Sequence, residues 1–406
     1  MDSRTDEIIL KELEKLAIFK LSLGSKELFH SNFLEFLWDI DHNMFIRIVN
    51  HLLPDQKWLP TEIDYKDYQL SREKENFDIC IFHQQSVKKQ KIDVYDLIIE
   101  NKVKSIPYKE QLRDYKDKVR NNHGMDTPRF LLLSLVENFP DKTEIAKNPE
   151  EYGYWHIANY NQLKDAINRE KETWHHKNDG RSTYVQDYCT FIGLMHELQQ
   201  KILADFNNLP IFDKVDVYKP YRLHDIYIKL RCAYFLMLLK KELEKDNNNS
   251  PVRFLKNHGD IREKIKAKGI YLNFNIFRSV GQAAAFIYHN NDDKGDIHEI
   301  VIQGNQYRHG INSHRFKGAT TKKDNIRKQN ELWNACQKDE KDSLFLNKII
   351  GDSVVQPVKP NKETKDGAFN GYNDDYVYRY VKIDNKNVSE LLSLMAEDIK
   401  KQFQNR

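Results

Sequence analysis

The sequence predicts an α/β protein, a mixed central sheet with helices on its faces, followed by a C-terminal α+β domain. Two apolar runs carry the first part of that prediction. Leu97-Ile98-Ile99 and Phe130-Leu131-Leu132-Leu133 have the pattern of strands buried on both faces. Helical stripes precede, separate and follow them, at residues 6–20, 108–120 and 159–167. Beyond residue 220, strands recur at hairpin spacing, which predicts the second domain.

Composition sets the bounds. The 406 residues suffice for two domains, placed at 1–207 and 221–406 with Leu209 to Pro220 as linker. Lys and Arg number 64 against 61 Asp and Glu, a formal charge of +3, so any nucleic-acid surface must be local. An aromatic share of 12% predicts a packed core rather than disorder. Cys80, Cys189, Cys232 and Cys336 are far apart and form no Cys-x-x-Cys, as free thiols of a reducing compartment would be. The start Met1-Asp2-Ser3-Arg4 is no signal peptide and no apolar run approaches a membrane span, so a cytoplasmic location is expected.

In chain order, Ile8, Ile9, Leu13, Leu16 and Phe19 follow helical spacing. Ser25 is placed to cap a second helix, whose apolar stripe is Phe29, Phe33, Phe36 and Leu37. Glu27, His30, Ser31 and Leu34 share a neighbouring face. Such a face is commonly a solvated flank; the functional alternative turns Glu27 toward the sheet as a carboxylate donor. An irregular strand is expected within 57–70, then strands at 77–82 and 94–103. Pro107 opens a helix over 108–120. Strands at 129–136 and 154–157 and a helix from Asn159 complete the sheet layer. A long helix spans 184–206 and another 223–245, ended by the Asn-rich turn before Pro251. Strands at 271–277, 283–288, 297–303 and 376–383 and a helix at 388–403 make up the second domain. Between them a basic loop holds His314, Arg315, Lys317, Lys322, Lys323, Arg327 and Lys328. With Tyr307 and Phe316 nearby it is either a solvated loop or a nucleic-acid grip. Trp174-His175-His176 lacks a second ligand pair and is read as loop.

The chemistry concentrates between Phe77 and Tyr115. Glu100 and Lys102 are two residues apart in a strand and project to one side, and a hairpin can bring Asp78 alongside. A Glu-x-Lys on an exposed strand is ordinarily a solvated pair. Here Glu100 follows directly from a buried run, where an ionised carboxylate needs a partner or a metal. Mg²⁺ held by Asp78 and Glu100 suits such oxygen ligands, and Mn²⁺ can substitute. Lys102, protonated beside two carboxylates, is placed to stabilise charge growing on a phosphate. Lys104, Lys109, Arg113, Lys116, Lys118 and Arg120 are candidate phosphate contacts, or a solvated helix face interleaved with Glu110, Asp114 and Asp117.

These residues resemble the PD-(D/E)XK nuclease superfamily, with its restriction-endonuclease-like αβββαβ core. Glu27-Leu28-Phe29-His30-Ser31-Asn32-Phe33-Leu34 is similar to the opening of an uncharacterised bacterial branch. Ile99-Glu100-Asn101-Lys102-Val103, followed by Gln111 and Tyr115, resembles its third and fourth motifs. The resemblance covers roughly residues 5 to 170, and its departure is Phe77 where proline precedes the metal-binding Asp. It implies Asp78 and Glu100 as metal ligands, Lys102 as catalytic lysine, Glu27 as the helix-one glutamate and Gln111 as the motif-four residue. Glu27 would hold a second metal or a metal-bound water; Gln111 would hydrogen-bond across the site, and Tyr115 would position a phosphate. The expected activity is metal-dependent phosphodiester hydrolysis in DNA, in a bacterial setting of defence against foreign DNA or of DNA processing. Homodimers and a partner or substrate at the C-terminal domain are further implications. A catalytically silent binding module and an RNase acting on structured RNA are the alternatives.

Overall fold

The apolar run at Ile98 becomes the middle of a sheet, with Leu97, Ile98 and Ile99 all shielded from solvent. In the computed structural model the described residues are 4–23, 26–53, 67–87, 90–103, 105, 109–123, 128–171, 180–245, 252, 254, 270–277, 282–289, 296–313, 321–348, 370–372, 375–384 and 386–404. The chain divides into two units, Met1–Ala204 with Lys214–Leu230, and Asp205–Asp213 with Arg231–Arg406.

The first unit runs α1 (Asp6–Lys15), α2 (Ala17–Ser22), α3 (Lys26–Ile40), α4 (His42–Leu52), β1 (Tyr68–Arg72), β2 (Ile79–Val87) and β3 (Gln90–Lys102). It continues through α5 (Lys109–His123), β4 (Arg129–Ser134), α6 (Lys142–Lys147), α7 (Pro149–Tyr152), β5 (Trp155–Asn159), α8 (Tyr160–Glu170) and α9 (Gly180–Leu203). The five strands lie in the order β1-β2-β3-β4-β5. β1, β2 and β3 pair antiparallel, whereas β3, β4 and β5 pair parallel, so the sheet is mixed as predicted. The parallel β3–β4 pair requires a crossover, and α5 supplies it.

α4 falls where no element is predicted. Asp41 caps it by accepting from the Met44 N–H at 2.9 Å, and its Phe45, Ile46 and Ile48 are fully buried. Asn159 and Gln162 form a capping box at the start of α8. The His30, Ser31 and Leu34 face of α3 is buried, not a solvated flank. Two elements cover it: Tyr188 of α9, whose hydroxyl is hydrogen-bonded to His30 Nδ1 at 2.8 Å, and β3, where the Asn101 amide donates to Ser31 Oγ at 3.2 Å. All four cysteines are free and buried. Among the described residues, no helix is long and apolar enough to cross a membrane. The stretch expected as linker holds α10 (Val215–Tyr218), and Ile211 and Tyr218 within it are buried. α11 (His224–Glu244) follows.

The second unit is built on an antiparallel sheet. Its strands are β6 (Ile270–Phe277), β7 (Gln282–His289), β8 (Asp296–Gln303), β9 (Gln306–Ser313), β10 (Asn370–Tyr372) and β11 (Tyr376–Lys382), in the order β10-β11-β9-β8-β7-β6. α12 (Lys322–Lys338), α13 (Glu340–Asn347) and α14 (Val388–Gln404) belong to the same unit. β9 and α12 correct the sequence reading. Tyr307, His309 and Ile311 alternate as the buried face of β9, and the polar groups that Tyr307 and His309 carry on that face hid the period. Tyr307 is therefore no nucleic-acid grip: its buried hydroxyl donates to Asp398 at 2.7 Å. Lys322, Lys323, Arg327 and Lys328 stand on a helix capped by Thr321 rather than in a loop. Ser25, Pro107, Trp174-His175-His176, the Asn-rich turn at 246–251, His314, Arg315, Phe316 and Lys317 lie outside the described residues.

On β8, burial pushes the Glu299 carboxyl up to about 8, against hydrogen bonds from Tyr376 and Asn312 that pull it down. The unfolded carboxyl ionises near its ordinary 4.5, so between that pH and about 8 the unfolded state sheds a proton that the folded state keeps. This group therefore erodes stability as pH rises through the window, by up to about 1.4 kcal/mol per pH unit. Urea titrations at pH 5 to 8 are expected to show a shallower decline for Glu299→Gln than for the parent.

Candidate active site

The site begins with a strand that is buried on both faces and then turns polar. Glu100 is fully buried near the end of β3, and Lys102 lies on the same side, two residues on. Their side chains meet in an ion pair between Lys102 Nζ and Glu100 Oε1. Gln111, from α5, donates to the same Oε1 at 2.8 Å. Glu100 Oε2 is buried and has no hydrogen-bond partner. Asp78 immediately precedes β2, and antiparallel pairing sets it by the end of β3, where the Asn101 N–H donates to its Oδ2 at 2.8 Å. The structure thus brings Asp78, Glu100, Lys102 and Gln111 together.

The electrostatics follow from burial. Desolvation pushes the Glu100 carboxyl up to about 7, Asp78 adds to the shift, and Lys102 opposes it. Burial also raises Asp78, against the pull of the Asn101 N–H and Lys102. For Lys102 burial acts downward, but Glu100, Asp78 and Glu27 outweigh it and the net shift is upward. The site therefore holds one firm cation and two carboxylates that a positive ligand would stabilise in ionised form.

Glu27 stands in the first turn of α3, and its charge is felt by both Asp78 and Lys102. Its carboxylate accepts from the Ser105 N–H at 2.9 Å and from the Ser105 hydroxyl. Among the described residues, no three His, Cys, Asp or Glu side chains group as a metal cage. The donor set is then Asp78 and Glu100, with an open carboxylate oxygen on Glu100. That set suits Mg²⁺, which keeps several waters and needs only one or two carboxylates beside the phosphates of a substrate.

α5 does more than cross over. The Tyr115 hydroxyl accepts from Gln111 at 3.0 Å and donates to the Asn76 carbonyl at 2.7 Å. This links Glu100 to the loop that delivers Asp78. Glu73, Glu75 and Asn76 in that loop all adopt left-handed backbone, with φ of 57°, 53° and 65°. Such conformations cost about 1–3 kcal/mol each and persist only where surroundings impose them. Here Lys118 donates to the Glu75 carbonyl and the Tyr95 hydroxyl to the Glu75 carboxylate at 3.0 Å.

Tyr115, Lys109, Arg113 and Lys116, among the expected phosphate contacts, have other partners. Tyr115 is buried, Arg113 pairs with Glu151 at 3.8 Å, and Lys109 is buried against Glu144 at 2.9 Å. Lys116 reaches the carbonyls of Glu150 and Glu151. Lys104 lies outside the described residues. Ser105 and Asn101 were missed as partners of the carboxylates. Asn101 had a visible signal, a polar residue in the alternating row Leu97, Ile99, Asn101 that otherwise faces the core.

Residues 16–190 match the family model described as the PD-(D/E)XK nuclease superfamily. No curated protein and no solved structure matches the chain.

A cation that binds only the folded carboxylates stabilises the fold by mass action, by about 2.7 kcal/mol at a hundred times its dissociation constant. Calorimetric unfolding is expected to move to higher temperature with Mg²⁺ in the parent. It is expected to stay put in Asp78→Asn and Glu100→Gln.

Proposed function

We propose, because residues 16–190 match the family model described as the PD-(D/E)XK nuclease superfamily, that this domain hydrolyses phosphodiester bonds with the help of a divalent cation, and that DNA is its substrate. The observation that carries the reading is Glu100: a fully buried carboxylate with one oxygen held by Lys102 and Gln111 and the other left open.

Hydrolysis needs water to attack phosphorus in line with the leaving oxygen, forming one P–O bond as the other breaks. A divalent cation supplies Lewis acidity at the phosphoryl oxygen and makes water easier to deprotonate. Asp78 and Glu100 are the residues to hold it. The Lys102 ammonium, kept protonated by its carboxylate neighbours, is placed to offset charge that develops on the phosphate oxygens. Gln111 fixes the Glu100 carboxylate, so that its open oxygen need not reorganise during the reaction. Glu27, which accepts from Ser105, adds negative charge that Asp78 and Lys102 both feel.

Charge distribution supports a nucleic-acid role for the second unit. It carries 31 Lys and Arg against 25 Asp and Glu, whereas the first unit carries 33 against 36. A positive excess in the non-catalytic unit favours encounter with a polyanion.

Purified protein is expected to cleave plasmid or linear DNA with Mg²⁺ or Mn²⁺ and to be silent in EDTA. Lys102→Ala is expected to lower the rate by about 10²–10³-fold, the scale of a lost transition-state charge partner. Cleavage of total RNA in preference to DNA would reassign the substrate. Metal binding and cleavage both absent would leave a binding module.

A further inference from the structure

We propose that Asn101 is the positioning residue of this site, and that its side-chain amide sets the spacing between the strand bearing Glu100 and Lys102 and the helix bearing Glu27. The proposal rests on the nuclease reading. Asn101 is not itself a candidate to touch substrate. Alternation along β3 turns it away from Glu100 and Lys102, and it is buried with 1% of its surface exposed.

Its hydrogen bonds account for the whole side-chain amide and the backbone N–H. Nδ2 donates to the Glu27 carbonyl at 3.1 Å and to Ser31 Oγ at 3.2 Å. Oδ1 accepts from the Tyr160 hydroxyl. The backbone N–H donates to Asp78 Oδ2 at 2.8 Å. One residue therefore holds Asp78 directly, adjoins Glu100 and Lys102 in the chain, and ties down the backbone of Glu27. The amide has one acceptable orientation, since a flip would set Oδ1 against the Glu27 carbonyl oxygen. Tyr160 is fixed in turn. It is buried at the start of α8, and its ring meets the His30 ring edge-on at 4.8 Å. His30 Nδ1 is hydrogen-bonded to the Tyr188 hydroxyl at 2.8 Å.

Core packing alone gives no reason for asparagine here. Leu97 and Ile99 occupy the preceding positions of the same row, and an apolar residue would avoid desolvating an amide. A buried polar group that is satisfied on all sides fixes one geometry, because any shift leaves a costly unpaired donor or acceptor. What this one fixes is the relative placement of the three acidic residues.

The test uses the full chain and compares Asn101→Ala, Tyr160→Phe and the double variant with the parent. Each is measured well below its unfolding midpoint. Mn²⁺ binding is read by titration calorimetry without substrate, and kcat and KM are read on linear DNA. Tyr160→Phe preserves volume and carries the test if Asn101→Ala fails to fold. Both single variants are expected to bind Mn²⁺ about 10- to 100-fold more weakly, the range for residues that orient metal ligands. The value of kcat is expected to fall and KM for DNA to stay unchanged. The double variant is expected to bind no more weakly than Asn101→Ala, since both act through one amide. Variants that bind Mn²⁺ and turn over like the parent overturn the proposal, whatever their thermal stability. A parent that neither binds Mn²⁺ nor cleaves overturns the nuclease reading, and the proposal falls with it.

Discussion

The first unit is arranged around one costly fact, a carboxylate with no solvent exposure near the end of its sheet's central strand. Water would stabilise an ionised Glu100 far better than this interior does, and that loss pushes the carboxyl up to about 7. Lys102 and Gln111 offset part of it at Oε1. Oε2 has no hydrogen-bond partner. The half-satisfied carboxylate explains why Asp78, also raised by burial, can share the same end of the sheet: both groups are set up to receive positive charge.

Holding them there requires strain elsewhere. The loop that delivers Asp78 keeps three non-glycine residues in left-handed backbone. α5 pays for part of this through Tyr115 and Lys118, which bond to the carbonyls of Asn76 and Glu75. The same helix holds Glu100 through Gln111. A crossover that any β-α-β unit needs has become the clamp on both carboxylates. On the opposite face α3 and α8 act through Asn101. The sheet end is thus gripped from both sides, which is what a site with little tolerance for misplacement requires.

The central sheet was legible because its signal is local. Leu97-Ile98-Ile99 and Leu131-Leu132-Leu133 declare buried strands by continuity alone, and Glu100 stands out against such a background. What escaped depends on partners distant in sequence. His30 meets Tyr188, 158 positions on, and Ser31 meets Asn101, 70 positions on, and no pattern within α3 reveals either. Ser105 looks like any loop serine until Glu27 is seen to accept from it. β9 was hidden because its core face is built from Tyr307 and His309, polar residues made apolar in effect by Asp398. The positive charge of α5 invited a phosphate reading. Lys109, Arg113, Lys116 and Lys118 instead bond to acceptors of their own unit, and periodicity cannot distinguish the two uses.

The buried charges also bear on whether the domain works or merely retains a shape. An ion pair in an interior is seldom worth its desolvation, and apolar residues of similar volume often leave a protein equally or more stable. A module used only for binding through other surfaces would gain by replacing Glu100 and Lys102 together. The left-handed loop before Asp78 would relax at no loss. Neither relief has been taken: the pair is intact, its open oxygen persists, and the loop remains clamped. Several unrelated devices thus converge on the same two carboxylates, and each costs stability at one place in the fold.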